Sequence, residues 1–299
     1  MDPIEINENG PYLVCKPGYT AEFVERTLRE RGLTGLEVRR VLPEEQYSDL
    51  EFLREFSFLT ELQLNGIPDQ DFDYEFLSEL QALQRLAFNV TLLPGVKAKR
   101  LDLGALPQLK SLNLTWRDGI TGLERLTQLE TLRLVEFRGE DLRPISGLTG
   151  LSWLFVATSN IRSVSGIEAL RGLEALTLGA CRRLRDFQGL AALERLRELR
   201  IAGCPHFSDL GPLVRLPELR DLRLEDCRKL ASVGPVAEMK LQRLGLIATT
   251  DIGDGDTRPL AAVPELAYCH RKHYNVRIPT PIADAIAEEN RRKILGLSR

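Results

Sequence analysis

The sequence predicts an α/β fold of the solenoid kind: a right-handed stack of short coils with a concave parallel β-sheet, closed by helical caps at its N-terminal and C-terminal ends. Three observations carry that expectation. LRGLEALTLGAC, LERLRELRIAGC and LPELRDLRLEDC end at Cys181, Cys204 and Cys227, so one motif recurs with a period of 23 residues. Within each copy the apolar side chains keep the order L-x-x-L-x-x-L-x-L, as at Leu170, Leu173, Leu176 and Leu178. The closing L-x-L pair alternates with polar residues at period two, the mark of a strand with one face on a core and one in water. A single coil of this kind cannot bury its leucines alone, so neighbouring coils must stack in parallel.

The first thirty-two residues stand outside the repeat. GPYLVCKPGYT sets turn residues around a short β-like run. AEFVERTLRERG then reads as a helix, with Thr20 as N-cap, Phe23, Val24 and Leu28 on one face, and Gly32 as the stop. Its expected task is to cover the apolar end of the first coil.

Coils follow at Leu36, Leu62, Leu86, Leu112, Leu132, Leu154, Leu176, Leu199, Leu222 and Leu244, which predicts about ten parallel strands. The steps are 26, 24, 26, 20, 22, 22, 23, 23 and 22 residues. The longer early coils carry YSDLEFLREFSFL and DFDYEFLSELQAL, whose patterns predict helical turns on the convex side. Later legs share an apolar residue, a Gly or Pro and a second apolar residue, as in DGITGLERL, RPISGLTGL and SDLGPLVRL. That composition suits a compact extended or 3₁₀ leg. LDLGALPQL at 101–109 matches this set, so Leu101 and Leu103 are assigned to the convex side although they mimic a strand. Beyond Leu244, DIGDGDTRPL is a turn-rich loop, a partial coil starts at Val263, and TPIADAIAEENRRKIL reads as an amphipathic terminal helix. The expected organisation is one elongated domain: an N-terminal cap over 1–32, a solenoid over 33–250, and a partial repeat with a capping helix over 251–299.

The repeated motif resembles that of the leucine-rich repeat family. Its 22-residue form, over roughly 33–250, is similar to the subclass containing internalins and phosphatase-regulatory leucine-rich repeat proteins. The resemblance implies a structural use for the Cys position, and relatives that act as scaffolds, regulatory subunits and receptors. Stacking places Cys181, Cys204 and Cys227 roughly 4.8 Å apart, a spacing at which a disulfide or a metal site is conceivable. Their recurrence at one inward position predicts buried reduced thiols instead.

Composition narrows the function. Hydrophobic residues make up 43% and charged residues 28%, values of a folded, soluble chain. With no 18-residue apolar run and no signal-peptide pattern in MDPIEINENG, the cytoplasm is the expected location and a membrane is not an expected partner. There are three histidines, His206, His270 and His273, and no catalytic constellation, so the chain is read as no enzyme and as needing no cofactor. Cys269, His270 and His273 are close in sequence, but no second element completes four zinc ligands. DIGDGD lacks the spacing and terminal Glu of a calcium loop.

Function is therefore expected on the surface. Trp153 and Phe155 flank Leu154 in one strand and must leave it on the side opposite Leu154 and Val156. Arg133 and Thr131 belong to the preceding coil, and Trp116 follows its strand on the loop side. Trp and Arg are enriched among interface anchors, so this set is the candidate contact for a protein partner. Residues 1–80 hold eighteen Asp or Glu against seven Lys or Arg, whereas the remainder holds 25 against 33. That asymmetry adds Glu61 and Glu37 as groups steering a basic partner. The leading reading is a protein-binding module. An inhibitor or immunity protein that occludes a toxin or enzyme is its narrower alternative. Nucleic-acid binding through Arg197, Arg200, Arg220, Arg223 and Arg243 is a third reading, and Glu198, Asp221, Glu225 and Asp226 among them speak for charge ladders within the solenoid instead.

Overall fold

The computed structural model describes residues 12–16, 18–39, 50–69, 73–92 and 95–278. The chain divides into two compact units, one taking in the residues up to Phe137 together with Gly147–Leu151, the other Arg138–Ser146 and the residues from Ser152 on. Each is a right-handed, leucine-rich-repeat-like solenoid built on a parallel sheet.

In the first unit the strands are β1 (Tyr12–Cys15), β2 (Gly35–Arg39), β3 (Glu61–Asp69), β4 (Arg85–Leu92), β5 (Ser111–Thr115) and β6 (Thr131–Val135), paired in sequence order. The register puts Leu13, Leu36, Leu62, Leu86, Leu112 and Leu132 in one column, all buried. In the second unit β7 (Trp153–Ala157), β8 (Ala175–Gly179), β9 (Glu198–Ala202), β10 (Asp221–Glu225), β11 (Arg243–Ile247) and β12 (Glu265–Tyr268) repeat the arrangement. Their column is Leu154, Leu176, Leu199, Leu222, Leu244 and Leu266. Stacking identical apolar positions removes each leucine from water, worth about 1.5–3 kcal/mol per side chain.

Among the described residues there are twelve main strands, two more than the leucine markers predict. The additions are β1, which pairs with β2 although YLVC lacks the full motif, and β12, the partial coil after Val263. A parallel edge needs only backbone groups and a few inward side chains, which Leu13, Cys15, Leu266 and Tyr268 supply.

The single α-helix among the described residues, α1 (Ala21–Arg31), follows the sequence reading closely. Thr20 Oγ1 accepts the Phe23 N–H at 3.2 Å. Gly32 turns left-handed at φ 62°, and Leu33 N–H bonds Leu28 O at 2.9 Å. Val24 and Leu28 are buried, while Phe23 is half-buried against Tyr19.

Among the described residues the helical turns of the legs behind the sheet are 3₁₀, including Glu51–Glu55 and Glu75–Glu79, where fuller helical turns were expected. Each leg must return within about 22 residues, and a five-residue tight helix does so without lengthening the coil. A recurrent cap opens them: a carboxylate or hydroxyl accepts the N–H two residues on, as Asp141 from Arg143 (3.0 Å), Asp186 from Gln188 (3.0 Å), Asp209 from Gly211 (2.8 Å) and Ser232 from Gly234 (2.9 Å). Gly166 (φ 101°) has Arg143 N only 2.4 Å from where a Cβ would stand, so the coils meet there without room for a side chain. Leu101 lies on this side, as expected, and also forms a two-residue strand, Leu101–Asp102, paired with Ile120–Thr121.

The turn after each strand explains the cysteines. In the second unit a left-handed residue leads in, Thr158 (φ 52°), Ala180 (51°), Gly203 (63°), Asp226 (52°) or Ala248 (58°), and the chain then drops inward. Cys181, Cys204 and Cys227 each follow it directly, all free and buried. Their Sγ atoms lie 3.8, 3.6 and 3.4 Å from the carbonyls of Val156, Leu178 and Ile201 in the preceding coil. Thr250 continues the series with Oγ1 donating to Leu224 O at 3.1 Å. In the first unit the corresponding turn holds Arg117, only 3% exposed, whose guanidinium lies over Tyr74 (4.9 Å) and Phe88 (5.4 Å) and donates to Lys99 O at 3.0 Å.

The expected C-terminal helix over 280–295 lies outside the described residues. Before it, the segment after β12 folds back on the last coil. Tyr274 Oη donates to Asp251 at 2.8 Å and accepts Ile252 N–H at 3.1 Å, and Ile278 N–H donates to Tyr268 Oη at 2.7 Å.

Candidate interaction face

Alternation along each strand leaves one side chain in two on the face away from the core. On β7 that face carries Trp153 and Phe155, both half-buried, with ring centroids 6.1 Å apart and planes within 15° of parallel. Leu154 and Val156 between and beyond them are fully buried. In register with Trp153 stand Ala175, Glu198, Asp221 and Arg243; in register with Phe155 stand Thr177, Arg200 and Arg223. The small Ala175 and Thr177 leave a depression of about 230 Å³ between the Trp153 ring and the charged side chains of β9 and β10.

The arginines among them are paired within the sheet. Asp221 is 6% exposed and receives Arg243 at 2.9 Å and Arg223 at 3.4 Å. Arg200 pairs with Glu225 at 2.8 Å and Arg197 with Glu174 at 3.4 Å, while Arg220 donates to Pro217 O at 2.9 Å. The charge ladder expected among these arginines is thus present.

The first unit carries the other sequence-selected residues. Thr131 Oγ1 donates to Ser111 at 2.7 Å and Arg133 Nη1 to Asn113 at 3.2 Å. Trp116 packs edge-on against Phe137, ring centroids 5.0 Å apart, so its indole covers the turn beside its own strand. Glu61 accepts the Tyr12 hydroxyl and pairs with Arg85 at 3.4 Å. Burial and the Glu61 contact raise the Tyr12 phenol above its ordinary value. Glu37 is only 4% exposed and accepts Asn65 Nδ2 at 3.3 Å, in a polar row that continues through Asn89 to Thr115. Sequence position gave no sign that Glu37 is covered. Only Trp153 and Phe155 among the selected residues form a direct aromatic pair.

At the C-terminal end, Cys269 is exposed, His270 lies beside Tyr268 and Tyr274, and His273 Nε2 is 3.2 Å from both Ile252 O and Asp251. In DIGDGD, Asp256 accepts the Arg258 guanidinium and backbone N–H and Asn275 Nδ2, and the Arg258 contact holds its carboxyl well below the usual range. Among the described residues no group of three His, Cys, Asp or Glu could hold a metal ion, and no helix is long and apolar enough to cross a membrane.

No protein-family model matches the chain, and no curated protein matches it. Solved structures do. Internalin C2 of Listeria monocytogenes is 20% identical, with a TM-score of 0.48 over 65% of this chain and 84% of that one. A second internalin of that organism, InlF, is 18% identical, with a TM-score of 0.48 over 85% of this chain and 86% of the other. The functional domain of InlJ, also from L. monocytogenes and described as including a cysteine ladder, is 14% identical with a TM-score of 0.44 over 83% and 60%. These are likenesses of chain path, and no functional residue is carried over from them.

Proposed function

We propose that this chain is a non-enzymatic module that binds a partner protein on the open face of its sheet, with Trp153 and Phe155 as the anchor. The observation that carries the reading is the stacked, half-buried ring pair beside a polar depression, on a face whose Arg200, Arg223 and Arg243 already sit on carboxylates. Rigid aromatic rings are presented there at little ordering cost, the property expected of an interface hot spot. The acidic balance of residues 1–80 supports a basic partner, steered by groups such as Glu61, and with it the narrower reading of an inhibitor or immunity protein. The buried thiols Cys181, Cys204 and Cys227 support a reducing, cytoplasmic setting. The 22- to 23-residue spacing of β7 to β12 supports the internalin-like subclass, and we keep the division into a cap over 1–32, a solenoid over 33–250 and a terminal region over 251–299 as part of the proposal.

The test is affinity capture from the native source, identification of the bound protein, and titration of Trp153→Ala, Phe155→Ala and Leu154→Ala. Loss of either ring should weaken binding by about 2 kcal/mol or more, roughly 30-fold, while melting stays close to wild type. Leu154→Ala should instead destabilise the fold by about 2–5 kcal/mol. Ring variants that stay folded and bind normally would remove this face from consideration.

A further inference from the structure

A second surface of the second unit has a different electrostatic character. Arg162, Arg182, Arg183 and Arg185 line a cavity of about 360 Å³. They come from the turns after β7 and β8. Left-handed Ala180 starts the second turn, and buried Cys181 and Leu184 pin it, the Leu184 N–H bonding Cys181 O at 3.1 Å, so that Arg182 and Arg183 occupy its exposed apex. Backbone bonds join the two turns, with Arg185 N–H on Arg162 O at 2.9 Å and Asp186 N–H on the same oxygen at 3.1 Å. The cluster therefore rests on fixed backbone.

Several arginines of this unit sit on carboxylates, as in the pairs Arg143–Asp141, Arg197–Glu174, Arg200–Glu225, Arg243–Asp221 and Arg258–Asp256, and others such as Arg171, Arg195 and Arg215 stand apart from one another; what sets these four apart is that they line one cavity together. Among the described residues none of these four arginines has a carboxylate within 4.0 Å. The adjacent Asp186 is turned to the back leg, where it accepts Ser163 Oγ at 2.8 Å and Gln188 N–H at 3.0 Å. Arg185 Nη1 lies 3.0 Å from His206 Nδ1. A guanidinium only donates, so the histidine nitrogen is the acceptor in this contact.

We propose that this four-arginine cavity binds a compact, multiply charged phosphate group, either a free pyrophosphate-like ligand or a phosphorylated side chain of a partner. Planar guanidiniums match phosphate oxygens in pairs, and unneutralised arginine clusters are the usual means of recognising phosphorylated ligands. The lining residues offer no aromatic ring on which a base could stack, which disfavours single-stranded nucleic acid. The site is separate from the sheet face and stands whether or not that face binds a protein.

The experiment is calorimetric titration of the full chain with inorganic pyrophosphate at low ionic strength, with a phosphoserine peptide and a single-stranded RNA as further arms. One saturable pyrophosphate site is expected, weakening with salt and raising the Tm of the protein. Arg183→Ala/Arg185→Ala should weaken it at least 10-fold at unchanged Tm without ligand. Arg183→Lys/Arg185→Lys should fall between, because charge is kept and the paired geometry lost. Arg197→Ala, whose guanidinium serves Glu174, should bind like wild type. Competition by the phosphopeptide assigns the phosphate to a protein partner, and its failure to compete assigns a free ligand. The proposal is overturned if no saturable binding is seen, if binding survives the double alanine variant, or if RNA binds with affinity growing with strand length and is not displaced by pyrophosphate.

Discussion

Replacing Cys204 by alanine tests whether the turn ladder holds coils together or only fills space. Its Sγ is fully buried, 3.6 Å from Leu178 O in the coil before and 3.7 Å from Ala202 O. Removing one buried heavy atom costs about 0.8 kcal/mol in transfer, and a rigid turn cannot collapse to fill the gap. Loss of a weak donor to a buried carbonyl adds about 0.5–1 kcal/mol. The expected total is about 2 kcal/mol, or roughly 4 °C in Tm for a chain of this size. Cys204→Ser should cost less, because Thr250 shows that a hydroxyl at this position reaches the carbonyl one coil back, 3.1 Å from Leu224 O. Thermal melting of both variants, with exposed Cys269→Ala as the control, gives the answer. A serine variant less stable than the alanine variant would mean that burying the hydroxyl costs more than its bond to the carbonyl returns, so that apolar burial and not donation sets the position. An alanine variant that melts with wild type would refute both contributions.

Two further outcomes follow from ionisation and access. With a thiol reagent at pH 8 the native chain should show one fast equivalent, from Cys269, and five after denaturation. Burial pushes Cys227 up to about 11, and contact with Cys181 together with burial raises Cys204, so three or more fast thiols would contradict the buried ladder. Burial and the bond to Asp251 push the Tyr274 phenol up to about 12 from 10.0. A folded-state pKa raised in this way contributes stability that is complete below pH 10 and is lost as pH rises through 12. Tyr274→Phe should therefore melt lower than wild type at neutral pH and lose less between pH 10 and pH 12; parallel curves would show that the shift has no part in alkaline unfolding.

Much of the fold is legible in the sequence because a coil is specified locally. The L-x-L alternation sets which face of each strand is buried, and its repetition at 22 to 23 residues sets the register from Leu154 to Leu244. Thr20 and Gly32 bound α1 for equally local reasons, a side-chain acceptor and a left-handed residue. The sequence also placed Trp153 and Phe155 on one face, since strand geometry alone requires it. What tertiary structure decided depends on neighbours one coil away. YLVC became a strand because β2 offered an edge, and Glu37 was covered because Asn65 in the next coil reaches it. Arg117 could be buried because Tyr74 and Phe88 lie beneath it. Arg200, Arg223 and Arg243 gained carboxylate partners, whereas Arg162, Arg182, Arg183 and Arg185 came to line one cavity with no carboxylate within reach, although both sets read alike as scattered basic residues along the chain. Periodicity is a property of one coil, but charge pairing belongs to the stack, and only the folded stack sets which arginines face a carboxylate.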